Sequence, residues 1–142
     1  MHIFCSGIGG IGLSAYASMQ KAAGHTVSGS DRSDSALLQT LREQGIEIIL
    51  KQDGSGIPAE CDLLVYSEAI PVDAPERKLA RERGIRSISY FQGLGEISKD
   101  FFVVAVCGTH GKSSTTAMAA RVLIEAGKDP SVVVGTKVRE LD

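Results

Sequence analysis

The stretch His2-Ile-Phe-Cys-Ser-Gly-Ile-Gly-Gly-Ile-Gly12 decides the fold. Residues 2–6 read as a short buried strand, and Gly7, Ile8, Gly9, Gly10, Ile11 and Gly12 follow at once. Residues 13–23 then read as a helix with Ala15, Met19, Ala22 and Ala23 as a small packing face and Gly24 as its stop. A second strand, residues 26–30, is closed by Asp31, nineteen residues beyond Gly12. This is a βαβ unit with G-x-G-x-x-G in its first turn and an acid near the expected offset. The motif alone is weak. Its placement between strand and helix points to a nucleotide-type ligand whose pyrophosphate sits on the helix N-terminus. It does not say which nucleotide. Asp31 could bond the ribose hydroxyls of NAD or of a uridine, or could serve as a turn or capping residue before the next helix.

A second glycine-rich stretch is Ala105-Val-Cys-Gly-Thr-His-Gly-Lys-Ser-Ser-Thr-Thr116. The apolar run 101–106 predicts a strand that feeds it, and a helix pattern reaching about Ala126 leaves it, with Met118, Val122 and Leu123 inward. Strand, glycine turn, Lys, hydroxyl and helix make the layout of a phosphate-binding loop. Glycines let backbone N–H groups turn onto an anion, and the helix end adds about half a unit of positive charge. Lys112 suits the β/γ-phosphates of ATP, and Ser113 suits Mg2+. Val106 departs from the general pattern, standing where its first glycine would be.

Composition sets the frame. The 142 residues suffice for a domain with its own core. A net charge of −2 argues against nucleic acid or an anionic membrane surface as a partner. No apolar run approaches the ~20 residues of a membrane span, and the N-terminus lacks the basic region of a signal peptide. Cys5, Cys61 and Cys107 are far apart and form no C-x-x-C pair, so neither zinc nor a disulfide framework is indicated. Cys5 and Cys107, each at the end of an expected strand, read as buried thiols. The cytoplasm is the natural compartment.

Between the two loops, helices are expected over 34–44, 75–83 and 90–98, and strands over 46–50, 62–66 and 85–89. The 34–44 helix carries Leu37, Leu38 and Leu41 as its apolar stripe. Residues 51–60 hold Gly54, Gly56 and Pro58 and read as loop. The charged run Glu76, Arg77, Lys78, Arg81, Glu82 and Arg83 reads as a solvated helix face, with Leu79 and Ala80 inward. Ser67-Glu-Ala-Ile70 follows a strand at the end where α/β sheets bind ligands. The alternation predicts an α/β, Rossmann-like, doubly wound parallel sheet over residues 1–99. Residues 100–142 read as the start of a P-loop domain, with a further strand at 131–135 and a tail from Lys137. One strand, a loop, a helix and another strand cannot bury a core alone.

Gly108-Thr-His-Gly-Lys-Ser-Ser-Thr-Thr116 resembles the ATP-binding loop of the Mur ligases, which join amino acids to UDP-N-acetylmuramic acid in peptidoglycan synthesis. Within that family the His in this loop is typical of members that add L-alanine and of members that re-attach recycled peptides. Phe4-Cys-Ser-Gly-Ile-Gly-Gly-Ile-Gly-Leu-Ser-Ala15, Val27-Ser-Gly-Ser-Asp31, Tyr66-Ser-Glu-Ala-Ile70 and Asp73-Ala-Pro-Glu76 are similar to further family motifs, so the resemblance spans essentially the whole chain. It implies UDP-N-acetylmuramate and L-alanine as substrates, and ATP with Mg2+. Gly108, Thr109, His110, Gly111, Lys112, Ser113, Ser114 and Thr115 would hold ATP, with Lys112 and His110 catalytic and Ser113 on the metal. His110 is open between phosphate, the substrate carboxylate and a structural role. Residues 7–12, Asp31, Ser67 and Ala69 would hold the UDP moiety. Leu13 and Ala74 depart from the usual Met and Asn, and Ser113-Ser114 stand where Thr-Thr is commoner. The family also needs further ATPase acids and an amino-acid-binding domain, so the chain reads as an N-terminal fragment, catalytically incomplete alone. The competing readings are a nicotinamide-dependent oxidoreductase domain, which leaves the second loop unexplained, and a non-catalytic nucleotide-binding module.

Overall fold

The computed structural model describes residues 1–136; the tail from Lys137 lies outside the described residues. The described chain divides into two compact units, Met1–Asp100 and Phe101 onward.

The first unit runs β1 (His2–Ser6), α1 (Ile11–Ala22), β2 (Thr26–Ser30), α2 (Ala36–Glu43), β3 (Glu47–Ile49), β4 (Leu63–Tyr66), α3 (Pro75–Glu82), β5 (Arg86–Ser89) and α4 (Tyr90–Ile97), ending in a 3-10 turn, Ser98–Asp100. All neighbouring strands pair in parallel, in the order β3-β2-β1-β4-β5. This is the Rossmann-like α/β sheet that the alternation predicts. The order reverses between β1 and β4, whose ends meet in register at Ser6 and Tyr66. A crevice opens outside the strand ends at such a reversal.

Side chains alternate across the sheet, so β1 feeds two cores. Ile3 and Cys5 join Leu13, Tyr16 and Ala17 of α1 and Leu38 and Leu41 of α2, with Leu94 and Ile97 of α4 packed against them. Phe4 joins Leu64, Ala80 of α3, and Ile57 and Cys61 of the β3–β4 loop. Gly29 allows the first core to close: a Cβ there would lie 2.5 Å from the Cys5 carbonyl oxygen and 2.8 Å from Ile8.

Two packing faces differ from the sequence expectation. In α1 the buried residues are Leu13, Ser14, Tyr16 and Ala17, while Ala22 and Ala23 are exposed. Tyr16 is the bulky contact that a small-residue face does not anticipate; Gly93 of α4 makes room for its ring. In α3, Glu76 is buried to 1% exposure on the same face as Ala80. The two are four apart and share a helix side, so spacing rather than charge decides the orientation. Ala74 caps α3 at its N-terminus without any side-chain hydrogen bond. The Asn that the resemblance implies here would supply the side-chain cap that Ala74 lacks.

The second unit carries one helix among its described residues, α5 (Lys112–Glu125). The strands expected at 101–106 and 131–135 are not formed. An apolar run becomes a strand only when another strand takes up its N–H and C=O groups, and neither run pairs with one among the described residues. Phe102 is accordingly 97% exposed, and Met118, Val122 and Leu123, expected inward, are exposed as well. Cys107, expected buried at a strand end, is exposed, whereas Cys5 and Cys61 are buried. In native chain one thiol should react rapidly with a thiol-exchange dye and the other two only on unfolding. Fast reaction of all three would contradict the first-unit core. Ala74→Asn should raise stability against urea by about 1 kcal/mol through the added cap; an unchanged or lowered midpoint would contradict the capping geometry.

Candidate functional site

The loop between β1 and α1 is built by backbone geometry. Gly7 takes φ +80°, the left-handed region, and a Cβ there would lie 3.1 Å from the Ser67 Cβ. The Gly7 and Ile8 N–H groups both donate to the Ser30 carbonyl, at 2.9 Å each, so the loop hangs from the end of β2. Gly10 is the N-cap of α1 and offers no side-chain cap. The first N–H groups of α1 therefore lack intrahelical acceptors and point out of the helix end, as an anion-binding turn requires. Gly12 lets the Tyr90 ring lie against the helix; a Cβ would meet it at 2.6 Å.

Asp31 follows β2 directly. Its Oδ2 accepts the Gly9 N–H at 2.8 Å, and its Oδ1 accepts the Arg32 N–H at 2.7 Å. The cap of α2 is Ser35, whose hydroxyl accepts the Leu38 N–H. Asp31 thus clamps the glycine loop to the β2 end. On the other wall, Ser67 N–H donates to the Ser6 carbonyl at 3.0 Å, and the turn closes through Ile70 N–H to the Ser67 carbonyl at 2.9 Å. Exposed Ala69 donates its N–H to Ser67 Oγ at 3.4 Å. Residues 7–12, Asp31, Ser67 and Ala69 are therefore gathered around the ends of β2, β1 and β4.

Ser6, Glu76, Arg77 and Tyr90, which the sequence reading did not count among the site residues, belong to the same region. Ser6 Oγ donates to Glu76 Oε2 in a fully buried contact. Arg77 donates to the Ile70 carbonyl at 3.0 Å and stacks over the Tyr66 ring at 3.7 Å. Tyr90 opens α4 and covers Gly12. The N-terminus of α3 so braces both walls of the crevice. The available signal was the four-residue spacing from Glu76 to Ala80, which the surrounding charges masked.

In the second unit, Gly111 is the N-cap of α5 in the left-handed conformation, φ 78°, and Gly108 takes φ +151°. Lys112 Nζ folds over the loop and donates to the carbonyls of Gly108 at 2.6 Å and Thr109 at 3.3 Å. Ser113, Ser114 and Thr115 stand exposed on the first turn of α5, and His110 is exposed beside them. An ammonium, uncapped helix N–H groups and free hydroxyls are the donor set that a phosphate chain with a hard cation requires. Among the described residues no His/Cys/Asp/Glu cluster could hold a metal by itself. No helix among them is long and apolar enough to cross a membrane.

Known proteins resemble this chain in sequence and fold. Residues 2–102 match the model of the Mur ligase family, catalytic domain. A UDP-N-acetylmuramate--L-alanine ligase of Desulfosudis oleivorans is 42% identical over 140 residues, covering 99% of this chain and 30% of the relative. One from Clavibacter michiganensis is 44% identical over 129 residues, covering 91% of this chain and 27% of the relative. Among solved structures, UDP-N-acetylmuramate-alanine ligase MurC of Thermotoga maritima superposes with a TM-score of 0.90 at 32% identity, covering 99% of this chain and 33% of that one. The UDP-N-acetylmuramate:L-alanyl-gamma-D-glutamyl-meso-diaminopimelate ligase of Neisseria meningitides also gives 0.90, at 30% identity, covering 98% and 44%. The chain spans about 30% of the length of the curated relatives it matches. With a parallel sheet that opens on a glycine loop and a family model that matches most of its length, the chain belongs to the Mur ligase family.

Proposed function

We propose that this chain binds UDP-N-acetylmuramate on its first unit, as part of a ligase that joins L-alanine to that substrate at the expense of ATP. The observation that carries the reading is the glycine loop at residues 7–12, set at the reversal of strand order with uncapped helix N–H groups at its end. Those N–H groups receive the diphosphate. Ser67 and Ala69 flank the uridine side of the crevice. Asp31 serves the ligand by holding Gly9, and its carboxylate is the group nearest in role to a ribose partner.

Residues 1–99 form the UDP-sugar domain on this reading, and residues 100–142 open the ATP-binding domain. Gly108, Thr109, His110, Gly111, Lys112, Ser113, Ser114 and Thr115 bind the phosphates of ATP. Ser113 would hold Mg2+, which would supply charge neutralisation. In the ligation, a muramic carboxylate oxygen bonds to the γ-phosphorus of ATP as the bond to the β,γ-bridging oxygen breaks, releasing ADP. The amine of L-alanine attacks the resulting acyl phosphate, and inorganic phosphate leaves. Lys112 offsets charge on the phosphoryl group in flight, and His110 is assigned to that group or to the carboxylate. Three free cysteines fit the cytoplasm as compartment.

A second reading is favoured by the Neisseria relative: ligation of a recycled peptide to the same UDP-sugar. Both readings place UDP-N-acetylmuramate on the first loop and differ in the amine substrate. Calorimetric titration of the 142-residue chain tests the shared step. Saturable binding of UDP-N-acetylmuramic acid is expected, and no response to NAD(H). Gly9→Val should weaken binding at least about tenfold, or ~1.4 kcal/mol, because even its Cβ would lie 2.7 Å from Asp31 Oδ2 and displace the clamp. Asp31→Ala should weaken it in the same direction. Binding of NAD(H) with silence to the UDP-sugar would overturn the proposal.

A further inference from the structure

Glu76 is an ionisable side chain at 1% exposure, directly beneath the candidate ligand loop. Its Oε2 accepts the Ser6 hydroxyl, and its Oε1 has no hydrogen-bond partner. Ser30, also fully buried, has its hydroxyl beside the same carboxyl and unpartnered. A buried carboxyl kept with incomplete hydrogen bonding is costly, and an apolar residue would pack there without that cost. The neighbouring backbone shows what it acts on. Ser6 and Ser30 are register partners, the last residues of β1 and β2. Ser6 leads into Gly7, and the Ser30 carbonyl holds the Gly7 and Ile8 N–H groups. One carboxyl thus faces the hydroxyls of both residues that launch and suspend the glycine loop.

We propose that Glu76 is a positioning residue for the glycine loop, acting through Ser6 and Ser30 to fix the backbone on which the ligand's diphosphate is received. The identity of the ligand rests on the function proposed above; the effect on the loop does not. Burial pushes the Glu76 pKa above the ordinary 4.5, the Ser30 and Ser6 hydroxyls oppose that rise, and Asp53 and Asp31 add to it. Arg77, the adjacent cation, is turned to the Ile70 carbonyl and the Tyr66 ring. Because the folded-state pKa is raised above the unfolded one, the fold's stability linked to this carboxyl is fully present below about pH 4.5 and is lost as pH rises through the raised value.

Amide hydrogen exchange of the 142-residue chain tests this. Glu76→Ala should speed exchange at Gly7 and Ile8 at least tenfold, while Ile88 in β5 stays within about twofold. Glu76→Gln, which keeps an acceptor oxygen for the Ser6 hydroxyl, should restore protection to within about threefold of wild type. Loop exchange unchanged in Glu76→Ala, or Glu76→Gln no better than Glu76→Ala, would overturn the proposal. If Glu76→Ala does not fold, Ser6→Ala removes only the donor. Its loop should loosen in the same way, and wild-type exchange in a folded Ser6→Ala would overturn the proposal. Titration of wild type with UDP-N-acetylmuramic acid keeps the two ideas apart: no binding would sink the ligand assignment, while the exchange data still judge the role of Glu76.

Discussion

The Ser30 carbonyl, accepting the N–H groups of both Gly7 and Ile8, is the contact on which the first unit depends. A glycine loop has few side-chain contacts of its own to hold it in one conformation. Its shape comes from what its backbone is tied to. Here it is tied to the end of the neighbouring strand, and Asp31 ties Gly9 to that same end. The loop therefore inherits the rigidity of a five-stranded parallel sheet. A diphosphate that meets N–H groups already in place loses less binding energy to ordering them.

The N-terminus of α3 serves the same end from below. Glu76 reaches Ser6 of β1, while Arg77 reaches the Ile70 carbonyl after β4. One helix end thus supports both walls of the crevice at the reversal of strand order. The hydroxyls and the carboxyl are polar groups in an otherwise apolar second core, and their cost is justified by the loop they hold.

Much of this was legible in the residues. Alternating apolar runs and helix patterns located the strands and helices of the first unit to within about two residues, because buried parallel strands and amphipathic helices carry distinct periods. Gly7, Gly9 and Gly12 announced a loop that approaches other groups closely, and their surroundings are Ser67, Asp31 and Tyr90. The charge run in α3 misled because charge is a statistical guide to exposure, whereas a carboxyl can be buried where neighbours neutralise it or bond to it. The run 101–106 misled for another reason. Its apolar pattern suits a strand, but a strand exists only with a partner.

The sequence by itself determined the order of elements, the two glycine loops and the family they resemble, since these depend on local pattern and on motif spacing. Only the tertiary structure decided what those residues touch. It brought Ser6 and Glu76, seventy residues apart, into one buried contact, with the buried Ser30 hydroxyl beside them. It set the Asp31 carboxylate on the Gly9 N–H and left Cys107 in solvent. Such contacts follow from strand order and helix rotation, which are set by the packing of the whole sheet.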